Sequence, residues 1–217
     1  MKTRISWIFY CLVSFMLLPS LSAAERFVTN ESNGFTWIQQ GKAYPILVDS
    51  QEDKGVLRAV ANLQTDAGKV TGATPEIIHS PSGNRILIVG SVENSSWIKQ
   101  LVQAGKIPAA DLKGKREKYI LQTVKQPVEG VEEAIVIAGS DKRGTIYGIY
   151  ELSRQMGVSP WYFWADVPVE KHDIISIKEG VYTDGEPAVK YRGIFLNDEW
   201  PSLGGWASAT FGGFNSK

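Results

Sequence analysis

The chain has 217 residues, 23 of them basic and 23 acidic, and 43% of its residues are hydrophobic. This length is sufficient for one domain with its own hydrophobic core. The balanced charge and the lack of a basic stripe exclude nucleic acid as an expected partner.

The N-terminus has the features of a secretory signal peptide. Two basic residues precede an apolar stretch from Ile5 to Leu18, and Ser22-Ala23-Ala24 supplies small residues before the mature chain. The apolar stretch is shorter than the ~20 residues that a membrane-spanning helix needs. We therefore expect a signal peptide at 1–24, a secreted or periplasmic location, and no membrane partner after cleavage. The single cysteine, Cys11, leaves with this peptide, so no disulfide is expected.

The first part of the mature chain predicts short β-strands around one helix. Strands are predicted at 27–29, 35–38, 44–48, 76–79 and 85–90. The breaks at Asn33-Gly34 and Gln40-Gly41 predict an antiparallel start. Apolar residues at helical spacing predict an amphipathic helix over 51–70, capped by Asp49 or Ser50.

The second part predicts two further helices. A short helix follows Asn94-Ser95-Ser96, and a longer one spans 142–156 with Ser140 or Asp141 as its cap. Strands are predicted at 118–124, where alternation indicates half-exposure, at 133–139, which is continuously apolar, and at 161–164, 174–177 and 181–182. Gly144 and Gly148 each cost ~1 kcal/mol inside a helix, which predicts close packing against a sheet in preference to a ligand.

This order of elements predicts a mixed α/β (α+β) domain with flanking helices over residues 25–186. Residues 187–217 form a different pattern, in which a strand at 191–196 has no second strand or helix to cover it. A lone strand cannot pair its backbone or bury its faces. We therefore expect the first strand of a truncated TIM-type (β/α)8 barrel there.

The predicted barrel strand ends on Asn197-Asp198-Glu199, which is followed by Trp200. Asp198 is the candidate catalytic acid and Glu199 a weaker one, since neighbouring side chains on a strand point to opposite sides. Asn197 and Trp200 are candidate substrate contacts, because an acid beside aromatic platforms is typical of sugar-cleaving sites. The alternative is a solvated acidic loop. Most glycosidases need two carboxyl groups, so the partner is expected beyond residue 217 and the fragment alone is expected to be inactive.

Two further side chains are candidates for substrate binding. Arg143 lies in the first turn of its helix, where a cation opposes the helix dipole, and can grip a carboxylate. The alternative is a solvent-exposed charge beside Asp141. Trp164 is a candidate sugar contact. His79 and His172 lack the neighbours of a metal cluster, and phosphate loops and nucleophile elbows are absent, so no metal or cofactor is expected.

Three segments closely resemble glycoside hydrolase family 115, the xylan α-1,2-glucuronidases. They are 138–153 (AGSDKRGTIYGIYELS), 157–168 (GVSPWYFWADVP) and 191–199 (YRGIFLNDE). The resemblance covers essentially the whole mature chain. A weaker likeness of the helix with Arg143, Gly144 and Gly148 extends to the N-terminal domains of other glucuronidases and of hexosaminidases.

The resemblance implies an N-terminal α/β domain, a TIM-type barrel, a helical region and a β-sandwich. It also implies an inverting removal of (4-O-methyl)glucuronic acid from xylan or glucuronoxylan. A homodimer is a candidate state of the full-length form. Asp198 matches an acidic position that lines the family's pocket, while the general acid lies later in the barrel. The alternatives are a non-catalytic carbohydrate-binding or scaffold domain, in which Trp161, Trp164 and Trp200 stack on sugars, and a hexosaminidase-like domain.

Overall fold

The computed structural model describes residues 25–193 and, beyond them, residues 195 and 205. The chain divides after Glu186 into two compact units, 1–186 and 187–217. In the second unit, residues 187–193 belong to no strand or helix. The first three positions of the predicted barrel strand therefore lack regular structure. Its other positions, apart from residue 195, and the predicted signal peptide lie outside the described residues and stay predictions.

The first unit is a mixed α/β domain, as predicted. Its strands are β1 (Val28–Thr29), β2 (Phe35–Gln39), β3 (Lys42–Ala43), β4 (Ile46–Val48), β5 (Ile77–Ile78), β6 (Arg85–Ser91), β7 (Tyr119–Lys125), β8 (Glu133–Gly139), β9 (Ile174–Ile177) and β10 (Val181–Tyr182). Its helices are α1 (Lys54–Thr71), α2 (Ser96–Gln103), α3 (Lys142–Gln155) and α4 (Tyr162–Ala165), with a 3-10 turn at Ala109–Asp111. Within this described part of the chain, none of the helices is both long and apolar enough to cross a bilayer.

The strands form two sheets. The larger has the order β10-β7-β8-β6-β4-β5. Strands β5, β4, β6 and β8 are parallel to one another, β7 is antiparallel to β8, and β10 is antiparallel to β7. The smaller, β1-β9-β2-β3, is antiparallel. The antiparallel start was thus predicted only in part: β2 pairs with β3, but β1 pairs with the distant β9, and β4 joins the larger sheet.

The larger sheet is covered on both faces. Leu87 and Val89 of β6 pack into one core with the apolar faces of α1 and α3. Ile86 and Ile88 pack into a second core with α2 on the other face, as the alternation of side chains along a strand requires. Burial on both faces explains why β6 and β8 are continuously apolar, as predicted.

Strand β7 is more buried than its alternating sequence predicts. Leu121 packs into the first core and Ile120 into the second. The strand lies between β8 and β10. Gln122 is also buried, and its amide donates a hydrogen bond to the Lys106 carbonyl at 2.9 Å. The prediction of a half-exposed strand was wrong, because neighbouring elements cover even its polar positions.

Residues 161–164 were predicted as a strand and instead enter the short helix α4. The Ser159 hydroxyl accepts the Trp161 N–H at 3.1 Å, and the Ser159 carbonyl accepts the Tyr162 N–H at 2.9 Å. These local bonds close a helical turn against the β preference of the aromatic residues. Asp166, at φ 50°, then ends the turn in the left-handed region.

The two helical glycines of α3 serve close packing, as predicted. A Cβ on Gly144 would lie 2.2 Å from the Lys118 carbonyl oxygen, and a Cβ on Gly148 would lie 2.8 Å from Ile137 Cγ2. Both positions therefore need glycine for close contact with the sheet rather than for a ligand.

Candidate functional site

The predicted active-site segment, Asn197-Asp198-Glu199-Trp200, lies outside the described residues. The backbone of Trp164 is part of α4, but its side chain is likewise outside the description. The roles assigned to these residues stay predictions. Of the predicted site residues, Arg143 alone can be placed by its side-chain contacts.

Open α/β sheets usually bind ligands beyond the carboxyl ends of their parallel strands. Strands β4, β6 and β8 end at Val48, Ser91 and Gly139, at one edge of the sheet. The segments that follow carry most of the polar side chains of this edge: Asp49, Glu52, Asp53, Ser95, Ser96 and Asp141. This carboxyl edge is therefore the first place to look for chemistry in the first unit.

The acid next to β4 holds the start of α2. Asp49 accepts hydrogen bonds from the Gln51 N–H at 2.9 Å, from the Ser96 N–H at 3.0 Å and from the Ser96 hydroxyl at 2.5 Å. The hydrogen bond from the Ser96 hydroxyl is the largest cause that lowers the pKa of Asp49 below its ordinary 3.8. The predicted cap of α1 at Asp49 or Ser50 was wrong, because Asp53 caps that helix through the Gly55 N–H at 2.8 Å.

A buried acid ties the start of α1 to the end of β6. Glu52 is 4% exposed. It accepts both the N–H and the hydroxyl of Ser91, each at 2.8 Å. Two donors of this kind satisfy a carboxylate that burial would otherwise destabilise. Glu52 is therefore a structural bridge.

Arg143 lies beside the cap of α3. Asp141 accepts the Gly144 N–H at 2.8 Å and the Glu117 N–H at 2.7 Å. The Arg143 guanidinium contacts Glu117 at 3.2 Å, with 62% of the Arg143 side chain and 8% of the Glu117 side chain exposed. The structure thus pairs Arg143 with a mostly buried glutamate, which leaves the exposed part of the guanidinium facing solvent. Its predicted contact with a uronate stays a prediction.

The carboxyl edge is built for structure rather than for proton transfer. Asp49, Asp53 and Asp141 each accept a backbone N–H at the start of a helix, where the helix dipole also favours a negative charge. A general acid needs a carboxyl group that is free to face the substrate, whereas these carboxylates are occupied by the helix N-termini. Among residues 25–193, no group of three or more His, Cys, Asp or Glu side chains is arranged to hold a metal.

The described part also contains a groove that the sequence did not indicate. We call the space between the C-terminal halves of α1 and α3 and the loop at 158–162 the helix groove; its volume is about 480 Å³. Asp66, Tyr150, Ser153 and Tyr162 are among its lining residues. In the sequence, Asp66 looks like one more polar residue of a helix, and Tyr150, Ser153 and Tyr162 lie more than 80 positions away from it. Only the fold brings them together.

Comparison with protein families places the chain among glycosidases. A model described as the N-terminus of glycosyl hydrolase family 67 matches residues 36–152. A model described as glycosyl hydrolase family 115 matches residues 184–217, which include the predicted active-site segment. Comparison with curated protein sequences gives no match.

The solved structures that match the chain include one from family GH115. A family GH115 4-O-methyl-alpha-glucuronidase with specificity for decorated arabinogalactans is 33% identical, with a TM-score of 0.68 over 84% of this chain and 22% of that protein. A beta-hexosaminidase from Streptomyces plicatus is 16% identical, with a TM-score of 0.42 over 74% of this chain and 25% of that one. A chitobiase from Flavobacterium johnsoniae is 13% identical, with a TM-score of 0.42 over 80% of this chain and 21% of that one. The chain thus spans about a fifth of the glucuronidase. It belongs to glycoside hydrolase family 115, and its first unit contains the domain that the family 67 model describes.

Proposed function

We propose that this chain is the N-terminal part of an exported α-glucuronidase that removes (4-O-methyl)glucuronic acid side chains from xylan. The observation that carries the proposal is the 33% identity to a 4-O-methyl-alpha-glucuronidase over 84% of the chain. The predicted signal peptide at 1–24 supports export, since polymeric xylan cannot enter a cell.

The first unit supports the catalytic part rather than performing the reaction. The acids at its carboxyl edge are held by helix N-termini and by serine donors, so they are poorly suited to protonate a leaving group. The family 115 match at 184–217 contains Asp198 and Glu199. We therefore assign the chemistry to the unit that begins after Glu186, with Asp198 in the glucuronate pocket.

The reaction assigned by the resemblance is inverting hydrolysis. One carboxylic acid protonates the xylose oxygen that leaves, while a second carboxylate, ~6.5–9.5 Å away, activates water on the opposite face of the sugar. The proton given to the leaving oxygen is matched by the one taken from water, and proton exchange with solvent then returns each carboxyl group to its starting state, so no cofactor is needed. Asn197 and Trp200 are proposed contacts of the substrate.

The test is hydrolysis by a protein that extends to the length of the solved relative. Asp198→Ala should lower kcat/KM for release of glucuronic acid from glucuronoxylan by ~10²-fold or more. Asp173→Ala removes an exposed aspartate of the first unit and is the matched control. Unchanged kcat/KM in Asp198→Ala would remove this residue from the site.

The choice of polysaccharide is tested separately. The solved relative is specific for decorated arabinogalactans, whereas we propose xylan for this protein. Glucuronoxylan and glucuronic-acid-bearing arabinogalactan are supplied at equal uronic acid content, and the released acid is quantified. A higher kcat/KM on arabinogalactan contradicts the xylan assignment but leaves the glucuronidase assignment intact.

A further inference from the structure

We propose that the helix groove binds a neutral pyranose unit of a polysaccharide. This inference goes beyond the proposed function, because it concerns residues of the first unit and holds whether or not the longer protein releases glucuronic acid. The groove's volume of about 480 Å³ lies within the range of small-molecule sites in proteins.

The first argument is a buried carboxylate without a strong partner. Asp66 is 9% exposed, and among the described residues it takes part in no ion pair within 4.0 Å. Burial raises its pKa above the ordinary 3.8, while Ser153 and Lys69 partly counter that effect. The acids of the carboxyl edge differ from it, since each accepts hydrogen bonds from one or more well-placed donors. Asp66 therefore needs donors, which a ligand can supply.

The second argument is a buried hydroxyl beside this carboxylate. Ser153 is 3% exposed, and its hydroxyl has no well-aligned hydrogen-bond partner among the described residues. Its interaction with the Asp66 carboxylate has enough hydrogen-bond character to lower the pKa of that acid, although the two groups are not well aligned. One imperfect donor leaves most acceptor sites of the carboxylate open. Vicinal hydroxyl groups of a sugar donate to a carboxylate and also accept from a serine hydroxyl.

The third argument is the aromatic lining. Tyr150 is 44% exposed, and its hydroxyl accepts the Asn62 amide at 2.7 Å, which holds the ring in place. Tyr162 also lines the groove, and the Lys69 ammonium lies 4.2 Å from its ring centroid. Ring faces offer apolar contact area next to polar groups that fix orientation. A pyranose, with C–H faces and equatorial hydroxyls, has the same combination.

The fourth argument is charge, which favours a neutral sugar over a uronate. The Arg154 guanidinium is held by Glu151 through Nε at 2.7 Å and Nη2 at 2.5 Å. Lys69 contacts the Tyr162 ring, so Asp66 is the group most in need of a partner. A second carboxylate in the groove would lie near Asp66, and like charges repel.

The experiment is calorimetric titration of the full chain with neutral oligosaccharides. The probes are β-xylo-oligosaccharides, β-galacto-oligosaccharides and, as the charged comparison, free glucuronic acid. We expect saturable binding of at least one neutral probe and weaker binding of glucuronic acid. Asp66→Asn keeps the side-chain shape but removes the charged acceptor and should weaken binding about tenfold, as expected for one hydrogen bond to a charged group.

Variants on α3 separate the groove from general effects. Tyr150→Ala should also weaken binding about tenfold or more. Tyr147→Ala, on the same helix at 38% exposure but outside the groove lining, should leave affinity within about twofold. Circular dichroism checks that each variant is folded. Absence of saturable binding by the parent chain, equal losses in both tyrosine variants, or tighter binding of glucuronic acid than of neutral probes would each overturn the proposal. None of these readouts involves hydrolysis, so they are independent of the Asp198 experiment.

Discussion

The contact between α3 and the start of β7 predicts that Gly144→Ala destabilises the protein, although alanine is the better helix former. Helix propensity alone would give a gain of ~1 kcal/mol. A Cβ at this position, however, would lie 2.2 Å from the Lys118 carbonyl oxygen, more than 1 Å inside the ordinary contact range that begins at 3.4 Å. The atom that must move belongs to the backbone, so a change of side-chain rotamer cannot relieve the overlap.

The size of the effect follows from what holds that carbonyl. It accepts the Ser140 N–H at 2.8 Å, while the Lys118 N–H donates to the Ser140 hydroxyl at 3.0 Å. Relief of the overlap must stretch this pair of bonds or lift α3 from the sheet. Overpacking of ~1–3 kcal/mol plus ~1 kcal/mol for a weakened hydrogen bond outweighs the gain in propensity. We expect a net loss of ~1–3 kcal/mol and a Tm roughly 2–12 °C lower.

Urea and thermal denaturation of the full chain, followed by circular dichroism, measure this loss. Ala61→Gly, at an exposed position of α1, is the control for propensity and should lose ~1 kcal/mol. Gly148→Ala meets side chains rather than backbone, with Ile137 Cγ2 at 2.8 Å, and should lose less than Gly144→Ala. A Gly144→Ala variant as stable as the parent, or more stable, would refute the packing argument.

Three further predictions concern hydrogen bonds and buried charge. Ser96→Ala should cost ~1 kcal/mol of unfolding free energy at pH 7. Because the folded-state pKa of Asp49 is lowered, this difference is fully present above pH 3.8 and should fade as the pH drops through the folded pKa. Urea denaturation at several pH values measures it. Asp66→Asn should be more stable than the parent at pH 7, because burial raises the pKa of Asp66. The charge of Asp66 destabilises the fold only as the pH rises from 3.8 through the folded pKa, so the two proteins should become equally stable in acid. Equal stability at pH 7 as well would contradict this prediction. Tyr119→Phe removes the hydroxyl that donates to Asp184 at 2.8 Å and should lose ~1 kcal/mol and speed amide exchange in β10; unchanged exchange would show that the bond does not hold that strand.

Caps, continuous apolar runs and helical glycines allowed several elements to be predicted from the sequence. Asp141 caps α3 and Ser95 caps α2, as the polar residues before each apolar run indicated. Strands β6 and β8 were predicted because burial on both faces leaves a continuous apolar run. The two glycines of α3 indicated close packing because their cost in a helix needs a compensating contact. In each case the sequence signal lies within the element or next to it, even where the contact that explains it, such as that of Gly144 with Lys118, is distant in sequence.

Predictions failed where a distant partner decides the local structure. Asp49 looked like the cap of α1, yet its carboxylate binds Ser96, 47 positions away, and Asp53 caps the helix instead. Strand β7 looked half-exposed because its polar residues alternate, yet Gln122 is buried against the Lys106 carbonyl. A sequence pattern shows that a side chain can form a hydrogen bond but not which group it will find. The same limit hid the helix groove, whose walls come from α1 and α3.

The contrast between the acids of the first unit links stability to function. The acids of the carboxyl edge accept hydrogen bonds from donors that the fold itself provides, so removing a donor should destabilise the protein. Asp66 behaves in the opposite way, because the fold buries it without adequate donors and its ionised form lowers stability. A residue that costs stability needs a different explanation from one that adds it. A ligand that donates hydrogen bonds to Asp66 would offset this cost. We therefore expect the first unit to bind a ligand in the helix groove rather than at the carboxyl edge.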